Sequence, residues 1–173
     1  MLIFSVVLLD IIGIGVIFPI VPDLLKEVGI DETASAAFWG GLLSSSYAFM
    51  QFVFSPTIGT LSDIFGRRPV LLIASLLLGI DYLLMGFAEN ILILFIGRII
   101  GGLAGGTIAT GTAYLADISD TKDKKKNFAI IGAAFGLGFI LGPIIGGVMG
   151  EISVRAPFFL SALLSFLNFF LCL

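Results

Sequence analysis

Long unbroken runs of apolar residues dominate the hydrophobic pattern of this chain. A helix needs about 20 mostly apolar residues to cross the hydrocarbon core of a bilayer. A membrane β-barrel would show shorter segments of about ten residues, in which apolar and polar positions alternate strictly. The pattern therefore predicts an all-α fold with six membrane-spanning helices, at residues 2–22, 38–58, 70–88, 91–116, 128–149 and 157–173.

The composition excludes the main soluble classes of protein. The chain is 58% hydrophobic and 12% charged, whereas a soluble domain carries about a quarter charged residues. It has no histidine and a single cysteine, Cys172, which leaves no Ser-His-Asp triad, no imidazole ligand and no Cys-based zinc cluster. The net charge of −3 provides no basic stripe for nucleic acid. These features predict an integral membrane protein that is not an enzyme, has no resident metal or cofactor and binds no nucleic acid.

The basic residues indicate how the spans are oriented. Two of the predicted connections hold six of the nine basic residues, Arg67 and Arg68 in one and Lys122, Lys124, Lys125 and Lys126 in the other. The alternate connections are mostly acidic. Because short cytoplasmic loops carry an excess of Lys and Arg, we expect both basic connections and the N-terminus to face the cytoplasm in a multi-pass protein.

Three charged residues, Asp10, Asp81 and Arg98, lie inside the predicted spans. Each costs about 2.5–3.5 kcal/mol to insert at mid-membrane, so it tends to face a cavity or a charged partner. The carboxylates are suited to proton uptake, or are held ionised by Arg98; a structural ion pair that orients the helices is the alternative. Three such charges in one small bundle favour a transport pathway.

Uncharged polar residues add further candidates. Gln51 and Asn168 lie in the second and sixth spans, where each is suited either to bind a ligand or to form a hydrogen bond between helices. Asp117 ends the fourth span beside the lysine-rich connection, where we expect it to be solvated or paired with a lysine.

Glycine and proline residues recur at helical spacing. Glycines four residues apart place small side chains on one helix face and let two helix backbones approach closely. Two spans contain such rows, which are Gly97, Gly101 and Gly105, and Gly138, Gly142, Gly146 and Gly150. Pro143 predicts a bend in the fifth span, because proline removes a backbone hydrogen bond. An irregular outer half of the first span is predicted by Gly13, Gly15, Pro19 and Pro22.

Only about ten residues, from Gly59 to Pro69, connect the second and third spans. This short connection predicts that the two helices are antiparallel neighbours, joined by a tight turn that Gly59 and Gly66 permit. Asp63 and Arg67 are four residues apart and are placed to pair or to cap helix ends.

Three segments carry a resemblance to one family. The connection resembles the loop signature G-x-L-x-D-x-x-G-R-[RK]-x of the major facilitator superfamily, at Gly59, Leu61, Asp63, Gly66, Arg67 and Arg68. The fifth span is similar to the signature G-x-x-x-G-P-x-x-G-G of the drug/proton antiporters, at Gly138, Gly142, Pro143, Gly146 and Gly147. The first span, from Asp10 to Pro22, resembles the D-x-x-G-x-G-x-x-x-P-x-x-P pattern of that branch. One position departs: Gly101 stands where the branch usually has a glutamine.

The finer resemblance is to the N-terminal half of bacterial tetracycline/proton antiporters. It implies that residues 1–173 form one six-helix half of a major facilitator fold, built from two inverted three-helix repeats. It also implies export of a metal–tetracycline complex across the inner membrane in exchange for protons, with the divalent cation arriving with the drug. Asp10, Gln51, Asp81 and Arg98 would line this route, and Asp63 and Arg67 would belong to a cytoplasmic gate.

Two alternatives stay open at this point. One keeps the fold and changes the cargo to another amphipathic drug or metabolite. The other is a truncated fragment that inserts into the bilayer and functions only with a partner, either a missing C-terminal half or a second copy of the chain.

Overall fold

The computed structural model of the chain describes residues 2–119 and 124–173. In these ranges all the regular structure is helical, as the sequence predicts. The helices are α1 (Leu2–Ile17), α2 (Val21–Glu27), α3 (Thr33–Phe65), α4 (Arg67–Gly86), α5 (Ile91–Ala104), α6 (Thr107–Ile118), α7 (Lys124–Ile152) and α8 (Ala156–Cys172).

The first predicted span is a broken helix. α1 ends at Ile17, and α2 begins at Val21 after a bend of 51°. Pro19 lies in the break and Pro22 in the first turn of α2, where proline is tolerated because the backbone N–H groups there have no helical partner. The prediction of an irregular outer half in this span is confirmed.

The fourth and fifth predicted spans differ in continuity. α5 ends at Ala104 and α6 begins at Thr107, with two glycines in the turn between them. α7 is one continuous helix that contains Pro143. Residues 120–123, which include Lys122 of the predicted lysine-rich connection, lie outside the described residues.

The predicted connection between the second and third spans is mostly helical. α3 continues through Gly59 and Asp63 to Phe65, so Gly66 alone links it to α4. Gly66 has a φ of 94°, which lies in the left-handed region that favours glycine. The prediction of a ten-residue connection is therefore wrong, and of the two glycines expected in its turn only Gly66 lies in one, since glycine within a helix costs only about 1 kcal/mol and α3 continues through Gly59.

Helix α1 packs mainly against α7 and α8, whereas α4 packs against α8 and α5, and α3 packs against α5. Three glycines of α7, Gly138, Gly142 and Gly146, face α1, as their spacing predicts, and Gly150 meets Ile20 in the break that follows α1. A Cβ atom added at Gly142 would lie 2.7 Å from the Cα atom of Gly15. The two backbones therefore touch at this point, and neither residue has room for a side chain.

Many large apolar side chains lie on the outside of the bundle, among them Phe49, Phe52, Ile140 and Ile144. Extended apolar surface of this kind is typical of proteins that contact lipid or a partner. Among the described helices, α4, the α5–α6 segment and α7 are long and apolar enough to cross a membrane, and the bent pair α1–α2 is a fourth if counted as one span. The arrangement in six spans stays a prediction.

Candidate functional site

Asp81 and Arg98 form an ion pair inside the bundle. The Nη2 of Arg98, on α5, donates to the Oδ2 of Asp81, on α4. The Asp81 side chain is fully buried and that of Arg98 is 14% exposed. The Asp81 Oδ1 and the Arg98 Nε have no hydrogen-bond partner in residues 2–119 and 124–173. Burying a charged pair costs free energy unless all its polar atoms form hydrogen bonds. This pair, with two atoms unpaired within the described residues, therefore lowers the stability of the bundle.

Two glycines of α5 make room for the Asp81 carboxylate. A Cβ atom at Gly97 would lie 2.9 Å from the Asp81 Oδ1, and one at Gly101 would overlap the Oδ2. Gly101 is the position at which the sequence departs from the antiporter pattern. In the structure, the carboxylate of Asp81 occupies the space that a side chain at Gly101 would need.

Arg98 also contacts two aromatic rings that sequence reasoning missed. Its Cζ lies 5.3 Å from the ring centroid of Tyr47 and 5.9 Å from that of Tyr82, distances at which a guanidinium is attracted to an aromatic face. Beside them is a cavity of about 140 Å³. It is lined by Ile14, Ile17, Phe18, Val21, Leu43, Ser44, Tyr47, Tyr82, Met85 and Arg98. In the sequence, the indications of these two contacts are that Tyr82 follows Asp81 and that Tyr47 lies one helical turn before Gln51.

Asp10 has a different environment, made of neutral groups. It is 3% exposed, and the Nδ2 of Asn168, on α8, donates to its Oδ1 at 2.7 Å. The side chain of Thr107, on α6, lies beside the same carboxylate. No ion pair joins Asp10 to Arg98 in the part of the chain that the structure describes. Of the two uses that the sequence left open for Asn168, the structure thus shows the hydrogen bond between helices.

Gln51 also forms a hydrogen bond between helices. Its Nε2 donates to the backbone oxygen of Gly105 at 2.6 Å. Gly105 lies in the turn between α5 and α6, where the helix break leaves carbonyl groups without a helical partner. The Gln51 side chain also borders a shallow groove along α3, next to Phe52.

Arg67 is the centre of a polar cluster at one end of the bundle. Its guanidinium lies 2.6 Å from the Asp63 carboxylate on α3 and 3.0 Å from that of Asp117 on α6. It also donates to the hydroxyl of Ser62 at 2.5 Å. The predicted pairing of Asp63 with Arg67 is confirmed, and Asp117 pairs with this arginine. The next residue, Arg68, donates to the backbone oxygen of Cys172 at the end of α8.

Within the described residues, no group of three or more Asp, Glu or Cys side chains is placed to hold a metal ion. The polar groups of the bundle thus fall into three sets: the Asp81–Arg98 pair beside its cavity, Asp10 with its neutral partners, and the Arg67 cluster.

Comparison with known proteins identifies the family. The model of the Major Facilitator Superfamily matches residues 3–173. The class B tetracycline resistance protein of Escherichia coli is 44% identical over 164 residues, which are 95% of this chain and 40% of that protein. The quinolone resistance protein NorA of Staphylococcus aureus is 36% identical over 91% of this chain and 40% of its own length.

A solved structure agrees with this assignment. The human organic anion transporter MFSD10 superposes with a TM-score of 0.86 at 25% sequence identity, over 99% of this chain and 45% of that one. The chain spans about 40% of the length of the curated relatives that it matches. The superfamily consists of membrane transporters, so the comparisons favour a transporter over an enzyme. This chain, an all-α bundle with a buried ion pair between α4 and α5, belongs to the Major Facilitator Superfamily.

Proposed function

We propose that the chain is the N-terminal half of a proton-coupled antiporter that exports a drug across the bacterial inner membrane, with its N-terminus in the cytoplasm. The observation that carries the proposal is the pair of buried carboxylates with different partners. Asp81 is bound to Arg98 beside a cavity, whereas Asp10 is held by neutral groups. Antiport needs groups that take up and release protons inside the membrane, and buried carboxylates are suited to that task.

The cavity beside Arg98 supports a role in binding an amphipathic drug. Its walls are mostly apolar and aromatic, and a single guanidinium supplies the charge. A volume of about 140 Å³ is smaller than the roughly 300–1,000 Å³ of pockets that enclose drug-sized ligands. Substrate sites in this superfamily lie between two six-helix halves, so we propose that a second half completes the site.

For the cargo, we propose a complex of tetracycline with a divalent cation. The support is the similarity to tetracycline resistance proteins of several classes, at 40–44% identity over most of this chain. The cation travels with the drug as part of the substrate. Similarity to a quinolone resistance protein favours the second candidate, an exporter of another amphipathic drug.

Inverted membrane vesicles that contain the full-length protein test both parts of the proposal. On acidification of the vesicle lumen, tetracycline with Mg²⁺ should enter the vesicles and protons should leave, and a protonophore should abolish the drug uptake because it dissipates the proton gradient. Vesicles with the Asp81→Asn variant provide the matched control. If a quinolone exchanges for protons and tetracycline does not, the cargo assignment is wrong while antiport stands. If neither drug moves protons, antiport is wrong.

The same assay separates a half-transporter from a fragment that needs a partner. Vesicles that contain only residues 1–173 should show no flux, because half of the proposed substrate site is absent. Restored flux on co-expression of the segment that follows in the full-length protein supports the half-transporter. Flux from residues 1–173 alone, with crosslinking between identical chains, would instead indicate a homodimer.

A further inference from the structure

The hydrogen bonds that Asp10 needs from its neutral neighbours depend on whether its carboxyl group is ionised or protonated. An ionised carboxylate accepts hydrogen bonds only, whereas a protonated carboxyl group also has an O–H to donate. A buried polar atom that finds no partner costs free energy. If Asp10 changes its protonation state, as the proposed function requires, then a neighbour that can both donate and accept is able to keep a hydrogen bond to it in both states.

Asn168 has both capacities at the right place. It is fully buried, and its Nδ2 donates to the Asp10 Oδ1 at 2.7 Å and to the backbone oxygen of Val6 at 2.9 Å. The Oδ1 of the same amide has no hydrogen-bond partner in the described ranges. A half-turn of the amide plane exchanges its donor and its acceptor, so this oxygen becomes able to accept from a protonated Asp10, while the amide gives up its bond to the Val6 oxygen.

Hydroxyl groups near Asp10, such as that of Thr107 on α6, can also donate and accept, but Asn168 is the neighbour whose amide donates a hydrogen bond to Asp10 in the described structure. The titratable groups near enough to sense its charge are Tyr82 on α4, Tyr47 on α3 and Cys172 on α8. The cation of α5, Arg98, is bound to Asp81. The side chain of Thr107 is the neighbour of Asp10 on α6. On α7, the residues packed against this part of α1 are apolar, namely Ile131 and Ala134.

We propose that Asn168 is a positioning residue for Asp10. Its amide holds the Asp10 side chain against α8 in both protonation states, by donating to the carboxylate and by accepting from the carboxylic acid. Proton transfer at Asp10 is then coupled to a reorientation of an amide on α8. This role rests on the proposed function only through the statement that Asp10 is protonated and deprotonated during transport.

Infrared difference spectroscopy on the protein in lipid tests this role without a transport assay. At a pH low enough to protonate buried carboxyl groups, the C=O band of Asp10 is assigned by its absence in Asp10→Asn. The band should move to higher frequency in Asn168→Leu, because a carboxyl group that loses a hydrogen bond has a stiffer C=O bond. Asn168→Ala provides a second variant in case the leucine does not fit.

Ser161 offers a matched control on the same helix. Its hydroxyl donates to the backbone oxygen of Gly13 at 3.1 Å, so it also links α8 to α1 but does not contact Asp10. The Asp10 band should keep its wild-type frequency in Ser161→Ala. An unchanged band in both Asn168 variants, or an equal shift in Ser161→Ala, would overturn the positioning role.

The transport assay provides a second readout. In full-length protein, Asn168→Leu should lower the rate of proton-coupled drug uptake by about tenfold while the half-saturating drug concentration stays the same, because a lost hydrogen bond to a charged group is worth about one such factor. Wild-type protein without transport would contradict the proposed function and would leave the infrared result for Asn168 intact. Wild-type rates in Asn168→Leu would contradict the positioning role alone.

Discussion

The carboxylate of Asp81, on α4, occupies the position that the first side-chain atom at Gly101, on α5, would need. Any residue larger than glycine at position 101 would therefore overlap the carboxylate of the buried ion pair. The missing side chain lets the carboxylate reach Arg98 from the neighbouring helix. Gly101, which has no side chain, thus allows α4 and α5 to pack closely with the Asp81–Arg98 pair between them.

Gly101→Val should displace Asp81 and weaken the bundle. Forcing extra carbon atoms into a packed interior costs about 1–3 kcal/mol, and here it also strains the ion pair. Thermal unfolding in detergent measures the effect. Gly41→Val is the control, because a Cβ atom at Gly41 would meet no atom within 4 Å. Equal melting temperatures for the two variants would show that stability does not depend on the absence of a side chain at Gly101.

Asp81→Asn should be more damaging to stability than Asp10→Asn. Removing one partner of a buried pair leaves an uncompensated charge and costs about 3–5 kcal/mol, whereas Asp10 has only neutral partners to lose. The double variant Asp81→Asn/Arg98→Gln should recover part of the loss, because it removes both charges. Wild type, Asp81→Asn, Arg98→Gln and the double variant form a double-mutant cycle in the free energy of unfolding, and strict additivity would refute the coupling between Asp81 and Arg98.

Gln51→Leu should destabilise the turn between α5 and α6. The substitution keeps the side chain close to its original size but removes the donor to the Gly105 oxygen, and a buried acceptor left without a partner costs about 1–3 kcal/mol. Faster hydrogen exchange at residues 105–108 would report this local loosening. Ser44→Ala is the control, since its hydroxyl donates to the Gly40 oxygen within its own helix. Unchanged exchange in Gln51→Leu would contradict the role of this bond.

Arg67→Lys should impair transport while the protein stays in the membrane. A lysine carries a single ammonium and lacks the planar fork with which Arg67 reaches Asp63, Asp117 and Ser62 together. Drug uptake by full-length protein in vesicles measures the effect, and the amount of protein in the membrane provides the reference. Lys26→Gln, which removes an exposed ion pair with Asp23, should transport normally. Normal uptake by Arg67→Lys would exclude a gate function that depends on the three-helix contact.

Much of the local architecture was predictable from the sequence. Apolar runs specify helices because a backbone in lipid must satisfy its hydrogen bonds within the segment. The prolines of the first span predict its break, and the four-residue spacing of glycines in α7 predicts a face that another helix approaches closely. All of these properties depend on residues within a few turns of one another, and the structure agrees with each of them.

Other local features were not predictable from the sequence. The connection around Gly59 looked like a loop because two glycines and charged residues follow one another, yet α3 continues to Phe65. Glycine and polar residues lower helix propensity by only about 1 kcal/mol or less each, and packing outweighs such amounts. A signature motif thus marks functional residues without marking where a helix ends.

By itself, the sequence determined that the chain is helical, that it is a membrane protein by composition, and that Asp10, Asp81 and Arg98 lie within apolar segments. Only the tertiary structure decided that Arg98 pairs with Asp81, that Asn168 binds Asp10, and that Tyr47 and Tyr82 flank the guanidinium. The reason is geometric: periodicity tells which residues share a face of one helix, but the rotation and register of neighbouring helices select the partner that each face meets.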